Sequence, residues 1–296
     1  MRLLLLLLFI SLISCSNGTN SIKAYKTEVM PPVPKPIKRP NIALVLGGGG
    51  ARGMAHLGVI SVLQENNIPI DLVVGTSIGS VVGAIYADNP NNLNLYRDFV
   101  DIKQKDLVSF SIFSGEGGFS SGEKLESFLN HNLHAKTFEQ LQVPFVAVAT
   151  DLANGQPFIL RSGPIAPAVH ASSAIAGFFI PVSIYGTNLI DGGFSQPLPV
   201  MIAKQFNPKV IIAVNIDREL SSNYNKGIFD IINRSIDIVV TRLSDNAVDQ
   251  ADVLIRPQVK QIGTFDDKNN KKLYELGRHA ALEQLAKIQQ IIKKSL

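Results

Sequence analysis

A single cysteine, Cys15, stands in 296 residues, so no disulfide can close within the chain and no thiolate cluster can hold a metal. Histidine is sparse as well: His56, His131, His134, His170 and His279 are scattered, without carboxylates at metal-ligand spacing. Neither a metal nor any other cofactor is therefore expected. Charge is low, at 18% charged residues and a formal net charge of +4, and no basic motif is clustered, so a nucleic-acid partner is not expected. An apolar run of membrane-spanning length is missing at the N-terminus, where Leu3 to Ile13 offers eleven residues interrupted by Ser11. A bilayer span takes about 20.

That short run has the form of an export signal, with Met1-Arg2 as a minimal positive region. It ends in Leu12-Ile13-Ser14-Cys15, which resembles a bacterial lipobox with Cys15 as the lipidated residue. An ordinary secretory signal with an incidental Cys15 is the alternative. Ser16 at the next position resembles the sorting pattern for the outer rather than the inner membrane. Residues 1–14 thus read as a signal peptide and residues 15–40 as a lipidated tether. Pro31, Pro32, Pro34, Pro36 and Pro40 keep the tether partly extended. Residues 41–296, in a chain that is 46% hydrophobic, suffice for one large core. The expected location is a bacterial cell envelope, with membrane lipid as the anchor.

Three short segments follow apolar, strand-like runs. Gly75-Thr76-Ser77-Ile78-Gly79 lies between Leu72-Val73-Val74 and a helical pattern through Val81, Val82, Ala84 and Ile85. A serine on a sharp strand-to-helix elbow needs small residues two before and two after it, and Gly75 and Gly79 meet that demand. Gly48-Gly49-Gly50-Ala51-Arg52-Gly53 opens another strand-to-helix turn, one suited to binding an anion. A P-loop would continue with Lys and then Ser or Thr, whereas Met54-Ala55 stand there. A dinucleotide fingerprint wants an acidic residue at the end of the second strand, whereas Asp71 opens it. An oxyanion hole uses a glycine run for close backbone approach, with Arg52 steadying the loop. Asp191-Gly192-Gly193 closes a third strand pattern, and by itself is a common turn. Together these segments supply what an acyl hydrolase needs.

The ensemble resembles the patatin-like phospholipase family from about Pro40 to about Thr264. Its G-x-G-x-x-G falls on Gly48, Gly50 and Gly53, its G-x-S-x-G on Gly75, Ser77 and Gly79, and its D-G-A/G on Asp191, Gly192 and Gly193. The resemblance implies a three-layer α/β/α sandwich with a mainly parallel sheet. It implies a Ser–Asp dyad, with Ser77 as nucleophile and Asp191 as base, acting on the acyl esters of membrane lipids. Two alternatives stand beside it. One is a Ser–His–Asp triad, for which only His279 follows Asp191 in the chain; the other is a non-catalytic lipid-binding lipoprotein.

The remaining pattern alternates helix and strand. Helices are expected near 91–104, 121–132, 197–206 and 228–247, strands near 143–151, 157–160, 210–214 and 253–255, and a strand pair near 182–190. A last amphipathic helix runs through Leu273, Leu276, Ala280, Leu285 and Ile292. Phe110 and Phe113, in the glycine-rich stretch 109–119, are expected to line or cover an acyl site.

Overall fold

The computed structural model describes residues 23–24, 33–101, 107, 120–217, 220, 227–259, 262–263 and 266–296. Among them, nine strands form one sheet: β1 (Lys23–Ala24), β2 (Ile42–Leu46), β3 (Leu72–Thr76), β4 (Phe145–Asp151), β5 (Pro157–Leu160), β6 (Val182–Ile184), β7 (Thr187–Asp191), β8 (Val210–Val214) and β9 (Val253–Ile255). They lie in the order β1-β6-β7-β4-β3-β2-β8-β9, with β5 added beside β4. The central pairs β4-β3, β3-β2, β2-β8 and β8-β9 are parallel, while β5, β6 and β7 pair antiparallel at one side.

Parallel strands need apolar cover on both faces, and β2 shows that cover residue by residue. Ile42, Leu44 and Leu46 join one apolar cluster, whereas Ala43 and Val45 join another on the opposite face. The first is completed by α1 (Met54–Glu65), α2 (Ile78–Asp88), α3 (Leu95–Phe99), α4 (Glu123–Asn132), α5 (Ile165–Ser172) and α8 (Asn270–Ser295). The second is completed by α6 (Val200–Lys204) and by α7 (Ile228–Val248), through Val200, Ala203 and Ala247. Helices on both faces of a mainly parallel sheet make the three-layer sandwich expected from the sequence.

The amphipathic C-terminal helix packs on the domain. A Cβ at Gly277 would stand 2.0 Å from the Ala55 carbonyl, and one at Gly58 would stand 2.0 Å from the Tyr274 carbonyl, so α1 and α8 touch backbone to backbone. Arg278 locks the pair by donating to both Glu65 carboxylate oxygens and to the Ser61 hydroxyl.

Two differences from the expected elements have local causes. The helix placed near 197–206 is only Val200–Lys204, because Pro197 and Pro199 hold the residues before them out of the helical region. Helix α5 is absent from the expected elements, and Gly163, Pro164 and Pro167 are poor helix formers. Pro167 sits in its first turn, where a missing N–H leaves no hydrogen bond unmade. The 1–14 signal, Cys15, most of the tether and the 109–119 stretch lie outside the described residues.

Candidate active site

Strand β3 ends at Thr76, and Ser77 turns the chain into α2 with φ 55° and ψ −127°, a left-handed backbone that a non-glycine residue adopts only under constraint. The constraint is visible on each side of it. The Ser77 carbonyl accepts from the amides of Ser80 and Val81 and from the Ser80 hydroxyl. Its amide donates to Ser172 Oγ at 3.1 Å, and that hydroxyl donates in turn to the Val148 carbonyl at 2.6 Å. A Cβ at Gly75 would lie 2.4 Å from the Gly79 carbonyl, and one at Gly79 would lie 2.2 Å from the Leu46 carbonyl. Only glycines let α2 start this close to the strand ends, and that closeness sets the helix N-terminus, with its partial positive charge, beside Ser77.

Ser172 is a residue for which sequence spacing carries no code. Replacing it with alanine leaves the buried Ser77 amide and Val148 carbonyl without their shared partner. Ser172→Ala should lower stability by about 1–3 kcal/mol, measured as the urea unfolding midpoint. An unchanged midpoint would show that the elbow does not depend on this hydroxyl.

Asp191 reaches Ser77 through the arrangement of the sheet. Residues 147 and 148 of β4 pair with both β3 and β5, and residues 149 and 150 pair with both β5 and β7. Strands β3 and β7 therefore occupy the same edge of β4, one after the other. The serine at the end of one meets the aspartate at the end of the other. Ser77 Oγ donates to Asp191 Oδ2 at 2.6 Å, and the Gly193 amide donates to Oδ1 at 2.7 Å. Gly192 makes the close passage possible, since a Cβ there would stand 2.1 Å from the Val148 carbonyl. Thr150 Oγ1 donates to the Asp191 carbonyl at 2.9 Å and fixes the backbone below the carboxylate.

Burial governs the electrostatics. Asp191 is 4% exposed, and loss of hydration pushes its pKa up to about 6, against the opposing pull of the Ser77 and Gly193 hydrogen bonds. His56 lies buried under the glycine loop, where burial pushes its pKa down to about 4. The neutral ring donates from Nε2 to the Gly47 carbonyl at 2.8 Å.

The glycine loop divides by function. The Gly48 amide already donates to the Pro197 carbonyl at 2.9 Å, so it is not available to an oxyanion, contrary to its place in the expected set. Gly53 is a packing position, where a Cβ would strike Ile78 Cγ1 at 2.2 Å. Arg52 is 2% exposed and ties the loop down by donating to the Ile216 and Ile262 carbonyls, so it steadies the loop. Ala51, between Gly50 and Arg52, is half-buried in the turn. Gly49 and Gly50 line the cleft above Ser77, and among the described residues their amides have no acceptor. The far wall of this cleft is Ile236 and Val240 of α7, which sequence patterning did not connect to the site.

None of the five histidines stands between Ser77 and Asp191, whose side chains bond to each other directly. His279, the one candidate for a triad, is 75% exposed on α8 beside Glu283. Among the described residues no group of His, Cys, Asp and Glu could hold a metal.

The region that carries this geometry also matches known proteins. The chain is 35% identical over 180 residues to an uncharacterised NTE family protein of Mycobacterium tuberculosis, covering 60% of this chain and 49% of that one. It is 27% identical over 292 residues to lysophospholipase NTE1 of Debaryomyces hansenii, covering 88% of this chain and 19% of that one. The chain thus spans about half the length of the mycobacterial relative and a smaller part of the yeast one. Among solved structures, VipD from Legionella pneumophila is similar at 13% identity and a TM-score of 0.46, over 88% of this chain and 68% of that one. ExoU from Pseudomonas aeruginosa, solved with SpcU, is similar at 18% identity and a TM-score of 0.40, over 85% of this chain and 53% of that one. The family model for patatin-like phospholipase matches residues 44–204, from the strand before the glycine loop to the helix after Asp191. That match takes in more than half of the chain, which belongs to the patatin-like phospholipase family.

Proposed function

We propose that this protein is a serine acyl hydrolase that cleaves fatty-acyl esters of phospholipids or lysophospholipids through a Ser77–Asp191 dyad. The observation that carries the proposal is the 2.6 Å hydrogen bond from the Ser77 hydroxyl to a buried carboxylate at the floor of the cleft. Ser77 Oγ attacks the ester carbonyl while Asp191 Oδ2 takes its proton. The tetrahedral oxyanion is held by the Gly49 and Gly50 amides, with help from the dipole of α2. Asp191 then protonates the departing alcohol, and a water that it deprotonates releases the fatty acid. The lysophospholipase name of the yeast relative agrees with this substrate class.

A carboxylate with an ordinary pKa is a feeble base at neutral pH, and burial brings Asp191 closer to the useful range. Only its ionised form can accept the proton. Activity should therefore rise with pH through a midpoint near 6 and level off above it, read as kcat/KM for a soluble ester from pH 4.5 to 8. A profile flat across that range would exclude Asp191 as the base.

We also propose that Cys15 is lipidated and that the chain is held on a bacterial envelope membrane, the outer one by the pattern at Ser16. The sequence before Pro40 supports this reading. Fatty-acid release from phosphatidylcholine and lysophosphatidylcholine, by the wild type and by Ser77→Ala, tests the activity. Release that survives in the variant would overturn the mechanism.

A further inference from the structure

The outward face of α7 departs from what a surface helix needs. Its exposed positions follow the helical repeat through Ile231, Ile232, Ser235, Ile238 and Val239, then Arg242, Asp245 and Asn246. Ile231, Ile232, Ile238 and Val239 are 40–44% exposed. The first half of the face thus offers water a stripe of branched aliphatic side chains, and the second half is polar. A continuous apolar stripe on a surface helix marks contact with something apolar.

The adjoining face of the same helix narrows what that contact is. Ile236 and Val240 point into the cleft that holds Ser77 and Asp191. Ile236 follows Ile232 by four positions and precedes Val239 by three, so the outer stripe runs up to the rim of the cleft, and whatever covers it lies beside the cleft mouth. A lipid surface fits this position better than a water-soluble partner, because the acyl esters of the proposed reaction reside in one. Exposed Arg242 stands where the apolar stripe ends and supplies a cation for lipid phosphates, with Asp245 one turn further on.

We propose that the Ile231–Val239 face of α7 inserts at the headgroup–acyl boundary of a phospholipid bilayer and brings the mouth of the Ser77 cleft to the depth of the ester bonds. The choice of lipid as the occupant rests on the acyl-hydrolase reading above, and the test separates the two.

The sequence contains no tryptophan, so Val239→Trp in a Ser77→Ala background of the full chain gives a single reporter on α7. It is mixed with phosphatidylcholine–phosphatidylglycerol vesicles whose acyl chains carry bromine. Emission should move to shorter wavelength and be quenched roughly twofold or more, as expected for a residue seated in the acyl boundary. A control tryptophan at Glu283 on α8 should stay unquenched, which makes the reading local to α7 and independent of any N-terminal anchor. In the active background, Ile232→Asp combined with Val239→Asp should lower hydrolysis of vesicle lipid by roughly tenfold or more, with hydrolysis of a short soluble ester within about twofold of wild type. A reporter at residue 239 that remains in water with vesicles present overturns the docking face. So does one that moves to shorter wavelength without lipid as the protein dimerises, which would assign the stripe to a second copy. Wild-type protein inactive on both substrates would overturn the functional reading, while the quenching result would still decide the docking face by itself.

Discussion

Asp191→Asn is expected to abolish ester hydrolysis and, at the same time, to make the protein more stable at neutral pH. Activity should fall by ~10³-fold or more, as it should for Ser77→Ala, because proton acceptor and nucleophile act as a unit. Asparagine keeps the local geometry: its Oδ1 can accept from the Gly193 amide while its Nδ2 donates to Ser77 Oγ. The stability gain follows from the raised pKa of the aspartate. A carboxyl at about 6 in the folded protein and near 3.8 in the unfolded chain binds more protons when folded. Its contribution is fully present below about 3.8 and is lost as pH rises through 6, on the order of 3 kcal/mol in all. Urea midpoints at pH 4.5 and 7.5 should therefore fall for the wild type and hold for Asp191→Asn. A variant within tenfold of wild-type activity, or one with the same fall in stability, would contradict this account of the site.

The second large effect is expected at the elbow. A methyl group at Gly79 meets the Leu46 and Gly47 carbonyls at 2.2 and 2.7 Å, and no rotamer change can relieve a clash between backbone atoms. Helix α2 would have to move away, taking Ser77 with it. Gly79→Ala should lower stability by about 3 kcal/mol or more, beyond the usual range for an overpacked core. In whatever folds, it should reduce kcat/KM by ~10²-fold, the effect of a misplacement of about 1 Å. Gly263→Ala, with nothing within 4 Å of the added carbon, is the matched control and should change neither. Wild-type activity and an unchanged midpoint in Gly79→Ala would show that the strand and helix ends are not as close as described.

What could be read in advance was what a few consecutive residues decide. The elbow, the glycine turn and the buried β-branched strands each follow from local backbone demands, and Gly75, Ser77 and Gly79 declare theirs within five positions. Asp191 could be paired with Ser77 only through a family resemblance, because the geometry that joins them is the shared edge of β4, which no spacing encodes. His56 and the inner face of α7 were invisible for the same reason: each acts on a partner from a distant element. The Gly48 amide shows the converse error. Its residue type suited an oxyanion hole, but Pro197, far along the chain, had already claimed the hydrogen.

On the proposed Ser77–Asp191 mechanism, the meeting of β3 and β7 on one edge of β4 also bears on when the protein becomes active. Ser77 and Asp191 are 114 residues apart. At typical rates of synthesis, about 6–23 s pass between the addition of one and the other. A growing chain can already have made β2, β3 and their helices, with the serine on its elbow, and still lack any base to activate it. Hydrolytic power arrives only when the β6-β7 hairpin closes onto the free half of that edge. Under that mechanism hydrolysis waits until nearly two thirds of the 296 residues have been synthesised.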